Sequence, residues 1–435
     1  MTDDRTDPSD RTGTPGAAGS AAADWDGLDY GPWEEVVLPR RPPTEEVREL
    51  LDLPRAIRPI DDDAVTQQPV FDPALAGYSR ALRPSEPAFA DPQVAERWLL
   101  ARREALDTVL SAVAGSPWAA HLVLRGSVLL KAWYGEAARE PGDLDFVVRP
   151  EDWELEDDRT QLMIDAVAAG AERLSGRVRL HADQAASDEI WTYSRVPGRR
   201  LVLPWSAPGL PGGTVQLDFV FTEHLPAPPE TAELPGVDGP LSVASRELSL
   251  AWKILWLVSD NHPQGKDLYD AVLLAESTGL SYDLLREVFR LAGEGWDARP
   301  VLPQALAGIE VDRDEFRKDH PALEPACPEL PGRLAAALAP TFADRDGYTL
   351  RAHWLAPLTD ELRPVLAESG MAQVQQHLAA RYPEDAAWLV ALAELLDGDL
   401  DRAHHLLADR FADSEYRLQR LRQAATDLAE ARTRA

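Results

Sequence analysis

Two aspartates separated by one residue, Asp143 and Asp145, open the segment Asp143-Leu144-Asp145-Phe146-Val147-Val148. Alternate side chains of a strand share a face, so the two carboxylates project together and can offer oxygen ligands to hard divalent cations. Mg²⁺ bound to a nucleoside triphosphate suits such a pair. Upstream, Gly126-Ser127 falls where the apolar run His121 to Leu124 gives way to a helical pattern from Val128 to Tyr134. At a strand-to-helix turn, free backbone N–H groups, a small hydroxyl and a missing Cβ form a cradle for phosphate. Each feature alone has an ordinary reading: Asp-x-Asp pairs occur on surfaces and in glycosyltransferases, and Gly-Ser turns are common.

The elements that must position these residues follow from hydrophobic spacing. Val94, Trp98, Leu99, Leu106, Val109, Leu110 and Val113 recur at helical intervals between Asp91 and Val113, and Gly115-Ser116-Pro117 ends that helix. Strand, Gly-Ser turn, helix and Asp-Leu-Asp strand come next. Asp158 to Leu174 predicts a helix, and Val178 to His181, Ile190 to Val196 and Arg199 to Leu203 predict short strands. In Val215 to Phe221, one face carries Val215, Leu217, Phe219 and Phe221 and the other Gln216, Asp218 and Val220. After a Pro-rich loop from Leu225 to Pro240, helices dominate: Ser245 to Ser259, Lys266 to Ser277, Tyr282 to Ala292, and several between Leu330 and the C-terminus. The expected class is α+β, a mixed sheet with flanking helices followed by a helical C-terminal region.

The 435 residues divide accordingly into a tail at 1–65, an α/β core at 90–240, a helical part of the same module at 241–300, and a C-terminal helical region at 301–435. Residues 1–65 hold 16 acids and 7 basic residues without apolar periodicity, so an acidic, disordered tail is expected there. The chain carries a formal charge of −30, which argues against nonspecific coating of nucleic acid and against binding to anionic membranes. The single cysteine, Cys327, excludes an intramolecular disulfide and a Cys-rich zinc site. No run of about 18 apolar residues and no standard signal segment is present, so no membrane partner and a cytoplasmic location are expected. No Gly-x-Ser-x-Gly elbow supports a serine hydrolase, and His181, His404 and His405 lack partners at metal-ligand spacing. Arg195, Arg199 and Arg200 form a local basic patch, open to two readings: a grip on RNA phosphates or a solvated hairpin tip.

In combination, Gly126-Ser127, 15 intervening residues, Asp143-Leu144-Asp145 and then Asp218 on a later strand resemble the metal site of polymerase-β-type nucleotidyltransferases. Leu124-Arg125-Gly126-Ser127, Tyr134-Gly135, Arg139, Asp143-Leu144-Asp145 and Gly265-Lys266-Asp267-Leu268-Tyr269-Asp270 resemble more narrowly the AbiEii/AbiGii nucleotidyltransferase toxins of type IV toxin–antitoxin and abortive-infection systems. The likeness covers roughly residues 95–295. Where that family often has Gly-Gly-Thr this chain has Gly126-Ser127-Val128, and Pro141 stands where a Ser or Thr precedes the first aspartate.

The resemblance implies transfer of a nucleotide from an NTP, with Asp143, Asp145 and Asp218 at the Mg²⁺ and Gly126, Ser127, Lys253 and Lys266 toward the phosphates. It makes Asp143, Asp145, Lys253 and Asp267 the catalytic set, with Asp218 or Asp267 orienting or deprotonating an acceptor hydroxyl. Lysine usage supports part of this: only Lys131, Lys253, Lys266 and Lys318 stand beside 40 arginines, and a compact ammonium at Lys253 can meet a triphosphate. The acceptor is a tRNA 3′ end or a protein hydroxyl, and a cognate antitoxin is the implied partner. Two other classes stay open: a catalytically silent binding module, and a glycosyltransferase that leaves Gly126-Ser127 and Lys266-Asp267 unexplained.

Overall fold

A computed structural model describes residues 24–434 except 29–32, 34–35, 193–195 and 344. Helix α1 (Glu45–Leu51) is followed by four short strands, β1 (Val65–Thr66), β2 (Pro69–Phe71), β3 (Leu82–Pro84) and β4 (Ala88–Phe89), in which β1 pairs with β4 and β2 with β3. Asp91 caps helix α2 (Pro92–Ala114), accepting from the Gln93 N–H, and Pro92 suits the first turn because it has no amide to satisfy. The core then runs β5 (Leu122–Arg125), α3 (Ser127–Tyr134), β6 (Asp143–Val148), α4 (Asp158–Leu174), β7 (Arg179–Leu180), β8 (Ala186–Thr192), β9 (Val196–Ser206), β10 (Gly213–Val220), β11 (Glu230–Ala232) and β12 (Leu241–Val243). Helices α5 (Arg246–Ser259), α6 (Gly265–Ser277), α7 (Tyr282–Leu291), α8 (Pro303–Ala307) and α9 (Arg313–Asp319) follow. From Leu330 the described chain is helical to Arg434 apart from short connections.

The main sheet has the order β11-β12-β5-β6-β10-β9-β7, with β8 also paired to β9. β6 and β10 are parallel, as are β12 and β5, and the remaining pairs are antiparallel. The class is α+β, as the spacing predicts. Strand alternation assigns the two faces. Leu122, Leu124, Leu144, Phe146, Val148, Leu217 and Phe219 point into one core with Leu106, Val109 and Leu110 of α2 and Ile164 and Val167 of α4, and the Phe146 and Phe219 rings stack there at 5.6 Å. Val123 and Val147 point to the opposite core, built from α5, α6 and the C-terminal helices. Asp143 and Asp145 have the parity of Val147, so they face α5 and α6.

The expectation of an unpacked tail through residue 65 fails for the described residues from Asp24 onward. Trp25, Leu28, Trp33, Leu38, Leu51, Leu53 and Ile57 bury themselves with Leu82 in a small core, and Ile60 and Val65 join the main one. The apolar residues here are irregularly spaced because the segment is mostly loop, so they leave no periodic signal in the sequence. Asp188 of β8 anchors it, accepting from the Arg55 and Ala56 amides at 2.9 and 2.6 Å and from the Tyr78 hydroxyl at 2.8 Å. Residues 1–23 lie outside the described residues. Deleting 1–65 is therefore expected to lower the thermal midpoint and abolish two-state melting, since each of several large apolar side chains contributes about 1.5–3 kcal/mol by burial. An unchanged calorimetric midpoint would return the segment to the status of a tail.

Candidate active site

Strand register builds a charged row across the face turned toward α5. Asp145 lies opposite Arg125 of β5 and beside Asp218 of β10, and Asp218 lies opposite Arg200 of β9. Asp143 sits one step away, beside Gln216. The two aspartates titrate in opposite directions. Burial disfavours the charge on Asp143, but Lys266, Arg139, Arg83 and Arg200 surround it and hold its pKa down at about 2. Burial together with the like charges of Asp143 and Asp218 pushes Asp145 up to about 7, against the pull of Arg125 and Lys266.

The Gly-Ser turn packs directly on this pair. Gly126 adopts φ +88°, and a Cβ at this position would collide with Asp145 Oδ2. Both the left-handed backbone and the close approach require glycine. The buried Ser127 hydroxyl donates to Asp143 Oδ1 at 3.3 Å, and no side chain caps the first turn of α3. Gly126→Ala is expected to displace the Asp145 carboxylate by about 1 Å and to lower catalysis about a hundredfold while the protein stays folded. Full activity of a folded Gly126→Ala protein would separate the turn from the chemistry.

Two helices close the face. Ser245 caps α5, and Lys253 near its middle is buried, its Nζ 2.6 Å from Asp267 and 3.1 Å from Asp270 of α6. Arg139 forks onto the fully buried Asp270 with contacts of 2.9–3.2 Å. Burial favours the neutral form of Asp270, but Arg139 and Lys253 outweigh it and keep the carboxylate below its ordinary pKa. Lys253 is thus the centre of a buried ion network. Lys266, at the start of α6, has no ion pair among the described residues, and it lines a pocket with Asp143, Asp145, Asp218 and Asp267.

Asp218 differs from an open metal ligand. Arg200 donates to both of its carboxylate oxygens at 2.8 Å and is itself held by Asp72 at 2.6 Å. Among the described residues no group of three or more His, Cys, Asp or Glu side chains is arranged to hold a metal ion. The same Arg200 is consequently buried and paired, and Arg199 faces Glu189 at 3.7 Å, so this pair forms no free basic patch; Arg195 lies outside the described residues. Trp252 and Trp256 are buried beneath the Arg125 guanidinium, which lies 5.0 and 5.2 Å from their rings.

Four groups that spacing alone did not single out also reach the site: Asp72 and Arg83 from the N-terminal segment, and Asp319 and His320 from the end of α9. Arg83 pairs with Asp319, and burial drives the His320 imidazole down to about 4, toward its neutral form. Only long-range packing brings them here, so no local pattern marks them. His181, His404 and His405 stand apart from these pockets.

The mixed sheet thus sets Asp143 and Asp145 against the strand-to-helix Gly126-Ser127 turn, with Lys266 in the same pocket as the two carboxylates. The model of the nucleotidyl transferase AbiEii toxin family, of type IV toxin–antitoxin systems, matches residues 108–345, and the chain belongs to that family. Comparison with curated proteins finds no match. Among the described residues no helix is long and apolar enough to cross a membrane.

Proposed function

We propose that the protein transfers a nucleoside monophosphate from an NTP to an acceptor hydroxyl in the cytoplasm, as the toxin of a pair with a cognate antitoxin. The observation that carries this reading is the contact of Gly126 with Asp145, which sets the uncapped start of α3 beside the carboxylates. The donor set is all oxygen, with no Cys or His, and so fits Mg²⁺ rather than a softer metal. Asp143 and Asp145 would hold that ion, which when bound would neutralise charge on the triphosphate.

The residues of the chain do the rest. Backbone amides of the Gly126-Ser127 turn and the Lys266 ammonium hold the β and γ phosphates. Lys253 and Arg139 keep Asp267 and Asp270 in place beneath α6, a positioning role in place of phosphate contact. The acceptor oxygen bonds to the α-phosphorus, the bond to the β-phosphate bridging oxygen breaks, and pyrophosphate leaves. Burial raises the proton affinity of Asp218 even against Arg200, which suits it to receive the hydroxyl proton. An RNA 3′ end, including that of tRNA, is the acceptor we favour, with a protein hydroxyl as the alternative.

Incubation with each NTP, labelled in turn at the α and γ positions, in the presence of total RNA and total protein tests the reading. The expected result is α label in RNA, γ label in released pyrophosphate, and neither product with Asp143→Ala. Label in protein alone would shift the acceptor. No transfer from any NTP would overturn the activity.

A further inference from the structure

A cavity between the N-terminal segment and the sheet is lined by six cations, Arg58, Arg83, Arg102, Arg139, Arg200 and Lys266, and by only four acids. In a chain of net charge −30 this is a local inversion of sign. Pairing removes most of it. Arg102 is satisfied by Glu86 at 2.7 Å, Arg83 by Asp319, Arg139 by Asp270, and Arg200 by Asp72 and Asp218. The acid Glu140 turns to Arg103 and to Lys131, neither of which lines the cavity. What is left is Asp143, Lys266 and Arg58.

Neither Lys266 nor Arg58 has a carboxylate partner among the described residues. Arg58 donates from Nη1 to the carbonyls of Arg55 and Ile57, at 3.3 and 3.4 Å. Its guanidinium is half-buried; burial and the nearby Arg48 work against its charge, and Asp188 favours it only from beyond ion-pair distance. A cation placed in such surroundings without a close ion pair is stabilised by an anion that arrives with the ligand. Of the three lining groups left, Lys266 and Arg58 are cations and Asp143 alone is an anion, so an excess of positive charge is available to the arriving anion.

We propose that this cavity is a phosphate site, in which Arg58 of the N-terminal segment and Lys266 of α6 hold a phosphate group next to Asp143. The segment that carries Arg58 precedes the region matched to the family and forms one wall of the cavity. The phosphate belongs either to the triphosphate of the NTP or to the backbone of an RNA acceptor near its reacting end. The inference rests on the nucleotidyl-transfer reading for the identity of the ligand, and on the cavity alone for its chemistry.

Full-length protein carrying Arg58→Gln, and separately Arg58→Lys, tests it by calorimetry at one salt concentration with inorganic tripolyphosphate, Mg-NTP, NMP and a short RNA. Arg58→Gln is expected to weaken tripolyphosphate binding about tenfold and Arg58→Lys less, with an unchanged melting temperature in both. A matching loss for NTP but not NMP assigns the site to the triphosphate. A loss for RNA with NTP unaffected assigns it to the acceptor. Unchanged affinity for tripolyphosphate, NTP and RNA in folded Arg58→Gln overturns the proposal, even where the wild type transfers nucleotide. If instead the wild type transfers nothing while Arg58→Gln still loses tripolyphosphate, the activity fails and the phosphate site stands.

Discussion

Asp143→Ala is expected to lower nucleotidyl transfer by about a hundredfold to a thousandfold and to leave the fold intact, the scale seen when a group that stabilises transition-state charge is deleted. Asp143 is the best-ionised of the three carboxylates on this face, with Lys266, Arg139, Arg83 and Arg200 all lowering its pKa. Its removal takes an oxygen ligand from the expected metal and leaves those cations facing each other. The repulsion is limited because Arg139, Arg83 and Arg200 keep other partners in Asp270, Asp319 and Asp218. Asp143→Asn, which keeps the shape and the contact with Ser127, is expected to lose transfer to a similar extent. Label transfer followed beside a thermal melt checks both points, and transfer within about tenfold of wild type by either folded variant would remove Asp143 from the chemistry.

The second large effect separates the two lysines. Lys253→Ala leaves Asp267 and the buried Asp270 with fewer counter-charges, and breaking a buried pair from one side costs about 3–5 kcal/mol. Lys253→Ala is therefore expected to melt well below the wild type, with activity falling as the folded fraction does. Lys266→Ala, by contrast, removes an ammonium that has no ion pair to lose among the described residues. Its melting temperature should stay near the wild type, and its affinity for Mg-NTP should fall about tenfold with little change for NMP, because only the NTP carries the contacted phosphates. Chemical denaturation and calorimetry on both variants decide the matter. A stable Lys253→Ala with selective loss of NTP binding would return the phosphate role to Lys253.

Much of this was legible along the chain. The alternation in Asp143-Leu144-Asp145-Phe146 put two carboxylates on one face and Leu144 and Phe146 on the other, because strand geometry is local. The helical stripe of α2, the limits of α4 and the Ser245 cap of α5 are likewise short-range properties. The Gly126-Ser127 turn could be recognised from its neighbours, since a strand that becomes a helix needs a residue tolerant of unusual backbone angles. The packed N-terminal segment was not legible, because loop residues such as Trp25, Leu53 and Ile57 are buried without periodic spacing.

The order of amino acids along the chain therefore sets the chemical groups, the elements that carry them and the face each strand residue takes. Their partners come from long-range packing. Register across β5, β6, β10 and β9 placed Arg125, Asp145, Asp218 and Arg200 in one row, and so turned an exposed-looking arginine into the buried partner of Asp218. The packing of α5 on α6 enclosed Lys253 between Asp267 and Asp270 and left Lys266 facing the carboxylates. The return of the N-terminal segment across the sheet added Arg58, Asp72 and Arg83. Residue type and strand parity are set within a few residues of chain, whereas the charge state and availability of each group depend on neighbours far along the chain, as Arg200 is from Asp72 with a separation of 128.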